Sequence, residues 1–281
     1  MNDAEFRHEV LQVGEAAGAS GVGVALYDYE RKASLTVNAD RWFHAASTIK
    51  VPVLLGVFDA IEQGRLQPHS RVHVRNRFLS IIDGSPYSVE AERDANAVVH
   101  QATGKMLTVQ ELAWHMITTS SNLATNLLLD IVGLEELQDT LHRLGLAGIE
   151  LRRGVEDLKA WEAGINNRVT ATGLLDALRA IEEKRAITAA ASDHMLRILN
   201  AQEFNRGIPA GLPDSARVAH KTGEMSTAAH DAGIVYLKGH EPYVLVVMTE
   251  WPAQEGRRQD TIAAISRAAY RHVTEGEKLH V

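Results

Sequence analysis

Three short motifs occur once each, in order, along the chain: Ser47-Thr48-Ile49-Lys50, Ser120-Ser121-Asn122 and Lys221-Thr222-Gly223. Between them they supply a nucleophile, a base, a proton shuttle and an anchor for an anion. Serine is a weak nucleophile and needs a neighbouring base. Lys50 lies three residues after Ser47, so at a helix start the two share a face. An ordinary lysine, with a pKa of ~10.4, is protonated at neutral pH and cannot accept a proton. Burial and nearby cations would have to lower that value. The structural alternative makes Ser47 a helix N-cap and Lys50 a solvated side chain, although a cation in the first turn opposes the helix dipole.

The second motif precedes an apolar helical stretch, Leu127 to Val132. It can be read as a capping cluster of Ser and Asn. Read chemically, the Ser120 hydroxyl passes a proton to a leaving nitrogen, while Asn122 donates to a substrate carbonyl and helps place Lys50. The third motif ends a predicted strand, where an edge lysine followed by a turn glycine is the plain reading. In the chemical reading Lys221 and Thr222 hold a substrate carboxylate, and Gly223 lets the substrate lie against the strand edge. The backbone N–H groups of Ser47 and Glu224 could form an oxyanion hole, where losing one donor costs about 3–4 kcal/mol of barrier.

Positioning these groups requires strands near both ends of the chain and helices between. Residues 3–17 read as a helix, 22–28 as a buried strand and 33–37 as its hairpin partner. An apolar helix runs from Ser47 to about Gly64, with Pro52 early enough to be tolerated. Residues 65–206 are mostly helical in pattern, including 108–118, 122–132 and 170–181. Three strands follow at 217–222, 231–238 and 243–249, then a helix over about 259–273. Short connections favour an antiparallel sheet. The expected fold class is therefore α/β: an antiparallel sheet flanked by helices, with an inserted all-α domain. The expected α/β domain is 1–64 with 207–281 and the helical domain is 65–206, the active site lying in the cleft between them.

Composition excludes several functions. The 29 basic and 36 acidic side chains give a net charge of −7, with no basic stripe for nucleic acid. With no cysteine, disulfides and thiolate metal sites are ruled out. The 13 histidines show no ligand spacing, so neither a metal nor another cofactor is expected. A Ser-His-Asp triad lacks the G-x-S-x-G elbow that would support it. His220 and His230-Asp231 read as satisfied histidines beside strands. The longest apolar runs, such as 51–58, are far below the ~20 residues that span a bilayer. The opening residues are polar and acidic and show no secretory signal. A cytoplasmic protein is expected, or a periplasmic or secreted one if a leader has been removed. The implied partner is a small-molecule substrate, with no nucleic acid, membrane or protein partner.

The segments Phe43 to Pro52 and Val218 to Gly223, with Ser120-Ser121-Asn122 between them, resemble class A β-lactamases and the penicillin-recognising serine hydrolases over nearly the whole chain. That resemblance implies the β-lactamase/transpeptidase-like fold and an acyl-enzyme mechanism in which Ser47 attacks the amide of a β-lactam and water releases the product. It also implies a loop glutamate that activates this water, with an asparagine four residues on. Glu162 and Asn166 fit the spacing, against the alternative of a solvated loop carboxylate; the proline usual after that glutamate is absent. Asp157-Leu158-Lys159-Ala160 offers a rival alignment that places no glutamate. Tyr87 would be the aromatic on the cleft wall, or else an anchor for its turn. Ser121 stands where class A enzymes usually carry Asp, and Glu224 where they carry a small residue. A cleft-facing Glu224 would repel a substrate carboxylate and favour neutral or cationic acyl groups. Two other functions share these motifs: an acyl hydrolase for an ester, cyclic amide or peptide, and a penicillin sensor that is acylated once without turnover.

Overall fold

The structure is a computed structural model that describes residues 1–95, 97–252 and 257–275. The chain divides into two compact units, one made of Met1–Thr48, Val169–Arg179 and Phe204–Val281, the other of Ile49–Arg168 and Ala180–Glu203.

The first unit is built on a five-stranded antiparallel sheet. Its strands are β1 (Gly21–Asp28), β2 (Ala33–Val37), β3 (Arg217–Met225), β4 (Ala228–Tyr236) and β5 (Tyr243–Glu250), in the order β3-β4-β5-β1-β2. Alternate residues of β5 (Tyr243, Leu245 and Val247) and of β1 (Val22, Val24 and Leu26) join one buried cluster. Helix α1 (Asp3–Ala17) adds Phe6 and Val10 to it, and the C-terminal helix Arg258–Glu275 adds Ile262, Ile265 and Ala269. Burying each large side chain contributes about 1.5–3 kcal/mol. Helix α1 starts on a capping box, Asn2 with Glu5, and ends at Gly18 in the left-handed region, so its length is written into its two ends.

The second unit is helical and centred on α2 (Lys50–Glu62), whose residues 50–60 are all buried. A helix apolar on every side must be surrounded. It packs against α3 (Val109–Thr118), α4 (Asn122–Val132), α5 (Leu134–Arg143) and the helix Ala189–Asn200. At Gly56 an added Cβ would lie 1.7 Å from Leu137 Cδ2, so glycine sets how closely α2 and α5 approach. The unit boundary thus falls at Thr48, earlier than the boundary at 64 read from the sequence, because α2 buries its whole circumference among helices. Among the described residues no helix is long and apolar enough to cross a membrane.

Candidate active site

Lys50 is the first residue of α2, and Ile49, not Ser47, occupies the N-cap position, with no side-chain cap. The capping alternative for Ser47 therefore does not hold, and neither does the solvated one for Lys50, which is fully buried. Its Nζ lies 2.6 Å from Ser120 O, 3.1 Å from Ser120 Oγ and 2.8 Å from Asn122 Oδ1. Burial lowers its pKa to about 7, opposed by the negative charges of Asp94 and Glu156. An amine poised at neutrality can both take and return a proton.

The second motif reaches Lys50 because the backbone turns sharply before α4. Ser120 holds φ 56°, which directs both its carbonyl and its hydroxyl at the amine. Ser121 is the actual N-cap of α4, accepting from Ala124 N. Asn122 is held at both ends: Oδ1 accepts from Lys50, and Nδ2 donates to Glu156 Oε1 at 2.8 Å.

Glu156, and not Glu162, is the carboxylate at this cluster. Glu162 is the last residue of the short helix Leu158–Glu162 and is exposed. Asn166 is turned elsewhere, its Oδ1 accepting from Arg153 Nη2 at 3.1 Å. The loop is pinned at two points, by its own Asn167, whose Oδ1 accepts from Arg152 N at 2.7 Å and whose Nδ2 donates to Arg153 O at 3.0 Å, and from α4. One turn after Asn122, Asn126 clasps the backbone of Val155: Val155 N donates to Oδ1 at 2.7 Å and Nδ2 donates to Val155 O at 2.8 Å. Glu156 follows at φ 62° and also accepts from Glu90 N at 3.0 Å. Asp157 caps the short helix and accepts from Ser80 Oγ at 2.8 Å and Ile81 N at 3.0 Å. Sequence reasoning missed Glu156 and Asn126; two asparagines at i,i+4 on a mostly apolar helix were the available signal. Tyr87 packs against this loop: a Cβ added to Gly154 would lie 2.2 Å from its hydroxyl. Burial pushes its phenol up, out of any titration near neutrality.

Sequence reasoning also missed Asp94. Its carboxylate is fully enclosed and accepts from Ser121 Oγ at 2.8 Å, Asn122 N at 2.5 Å and Leu123 N at 3.4 Å.

The other predicted residues belong to the sheet unit. Ser47 is half-buried in the 3-10 turn Ala46–Ile49, which runs straight into α2. The turn starts from a left-handed residue, Ala46 at φ 44°, whose N–H donates to His44 Nδ1 at 3.0 Å. His230 Nε2 in turn donates to His44 O at 2.9 Å, and its Nδ1 accepts from Thr249 N at 3.1 Å. Burial pushes the His230 pKa down to about 4, which keeps it neutral with its proton on Nε2. Strand β3 lies against the same turn: a Cβ on Gly223 would come within 3.1 Å of Ser47 N and Thr48 N. The Ser47 and Gly223 backbones are therefore close, which puts the N–H groups of Ser47 and Glu224 on neighbouring segments. Lys221 is fully buried although β3 is an edge strand, and Thr222 is half-buried. Glu224 is exposed, and its carboxylate accepts from Gln259 Nε2 at 3.0 Å, with Arg257 and Arg258 beside it. His220 is enclosed by Asp231 Oδ1 at 2.9 Å and Asn205 Oδ1 at 3.2 Å, a satisfied buried histidine. Among the described residues no group of three His, Asp or Glu side chains is arranged to hold a metal ion.

Known proteins share this architecture. A β-lactamase from Pseudomonas aeruginosa, VEB-1, is 22% identical over 265 residues, which cover 89% of this chain and 85% of the relative. The structure of PBP-A is similar with a TM-score of 0.81 and 27% identity, covering 98% of this chain and 97% of that one. A β-lactamase from Sphaerobacter thermophilus gives a TM-score of 0.79 at 27% identity, over 97% and 98% of the two chains. One from Desulfarculus baarsii gives 0.84 at 21% identity, over 98% and 99%. The fold is β-lactamase/transpeptidase-like. The profile described as the beta-lactamase enzyme family matches residues 5–273, and the chain, with its three motifs in order within that span, belongs to that family.

Proposed function

We propose that this protein is a serine hydrolase that opens β-lactam amides through an acyl-enzyme on Ser47. The observation that carries the reading is the Lys50 cluster: a buried amine with a pKa of about 7, bonded to Ser120 and Asn122. In its neutral form Lys50 takes the Ser47 proton as Oγ attacks the carbonyl carbon. The resulting oxyanion is met by the N–H groups of Ser47 and Glu224. When the C–N bond breaks, Ser120 gives its proton to the leaving nitrogen and recovers one from Lys50, which it already touches. Lys221 and Thr222 anchor the substrate carboxylate, and Asn122 Nδ2 can turn from Glu156 to the acyl carbonyl. Glu156 then takes a proton from the water that attacks the ester. Tyr87 stiffens the loop that carries Glu156.

A second reading is a penicillin-binding protein that keeps its adduct. PBP-A supports it, since a mutant of that protein was solved as an acyl-enzyme complex with penicillin G. Glu156 favours turnover, because it is bonded to Asn122 and acts on Lys50. Intact-mass spectra of the protein with benzylpenicillin, taken from seconds to hours beside product formation, decide between the two. The expected result is product without lasting adduct, lost in Ser47→Ala. Glu156→Gln should accumulate the adduct, and Glu162→Gln should behave as the parent. A parent protein that gives neither adduct nor product would overturn the proposal. A lasting adduct in the parent would establish the second reading.

A further inference from the structure

The start of α4 is held by a carboxylate from another part of the chain. Asp94 sits 27 residues before Ser121, at the end of the 3-10 turn Ala91–Arg93. It accepts from Ser121 Oγ, Asn122 N and Leu123 N, and pairs with His100 Nε2 at 3.1 Å. A helix N-terminus leaves N–H groups unpaired and favours negative charge. Ser121 caps α4 through its Oγ, which accepts from Ala124 N at 3.2 Å, but it brings no charge. Asn122 and Ser120, on either side of it, are the residues that touch Lys50.

We propose that Asp94 is a positioning residue for the second motif, supplying from a distant loop the carboxylate that fixes Ser121 and Asn122 and thereby holds Ser120 and Asn122 against Lys50. Asp94 touches no reacting atom. It acts through the N-terminus of α4, and its charge also acts on Lys50, whose pKa it raises. The role is portable: an aspartate at 121 would cap α4 as serine does and carry the same charge to the same helix end. This inference rests on the proposed Ser47 chemistry, and its test includes an arm independent of that chemistry.

Three proteins are compared: the parent, Asp94→Asn, and the exchange variant Asp94→Ser with Ser121→Asp. The rate of Ser47 acylation by benzylpenicillin is read by intact mass. The Lys50 titration is read by NMR of protein carrying 13Cε-lysine. Asp94→Asn is expected to slow acylation on the order of 10²-fold, the effect of an ångström-scale misplacement, and to move the Lys50 titration to lower pH. The exchange variant is expected to restore most of both. Parent-like acylation in Asp94→Asn would overturn the proposal. So would an exchange variant that folds but stays slow, or one that fails to fold, since a cap that merely needed a carboxylate would accept it at 121. If the parent does not react with penicillin, the Ser47 reading fails, while the Lys50 titration in the three proteins still decides the role of Asp94.

Discussion

Lys50 reports on the whole cluster. As an ammonium it has three donors, and it meets three acceptors, Ser120 O, Ser120 Oγ and Asn122 Oδ1. As an amine it keeps two donors and gains a lone pair, so the Ser120 hydroxyl can reverse its bond and donate to it. The change of charge state therefore needs no change of partners. With a pKa of about 7, the acylation rate should rise with pH along a limb centred near 7; a rate that falls across that range would show the cation to be the active form. Lys50→Arg keeps the cation, cannot be deprotonated in this range, and should lose about 10²–10⁴-fold in acylation rate. In stability the sign is equally definite. The folded pKa lies below the ordinary lysine value of 10.5, so Lys50 opposes folding fully below pH 7. That opposition fades as pH rises from about 7 to 10.5.

At the scale of elements, the contact between β3 and the Ser47 turn depends on a missing side chain. Gly223→Ala would bring a methyl group to 3.1 Å from two backbone nitrogens, Ser47 N and Thr48 N, which can yield only by moving the turn. Acylation should fall about tenfold or more, because small misplacements of reacting groups are costly, while the far-UV circular dichroism stays unchanged. An unaltered acylation rate would show that the turn tolerates the shift. Gly223 was legible in the sequence because it belongs to a contiguous motif, and so were Ser47, Lys50, Ser120 and Lys221. Glu156, Asn126 and Asp94 were not. Each works through a contact between segments 27 or more residues apart, and only the fold makes such neighbours. Glu162 fits the E-x-x-x-N spacing because that spacing is counted along the chain, whereas the bond that places Glu156 spans 34 residues.

At the scale of the molecule, the sheet strands were legible as short runs, mostly apolar and mostly buried, and the helical stretch from its pattern. The unit boundary was not, because α2 looks the same in sequence whether a sheet or a bundle covers it. His230 lets one titration be read in the stability of the whole. Its folded pKa of about 4 lies below the ordinary histidine value of 6.5. The unfolded chain therefore binds the extra proton between these values, and stability falls as pH drops from 6.5 to 4. The loss should approach about 3 kcal/mol. Urea unfolding at pH 6.5 and 4.5 should show it, with a shallower dependence in His230→Gln; an equally steep loss in the variant would assign the slope to other groups.

Ala46, Ser120 and Glu156 are three of the six described non-glycine residues with positive φ, and each stands at a turn that aims a site residue. Such backbone costs of order 1–3 kcal/mol per residue, against a total stability of ~5–15 kcal/mol for a typical domain. The cost bears on how this protein can evolve. Substitutions that reshape substrate preference usually destabilise as well, and a chain already strained at these turns can absorb fewer of them. New specificities should therefore arise more readily in backgrounds first stabilised far from these three turns.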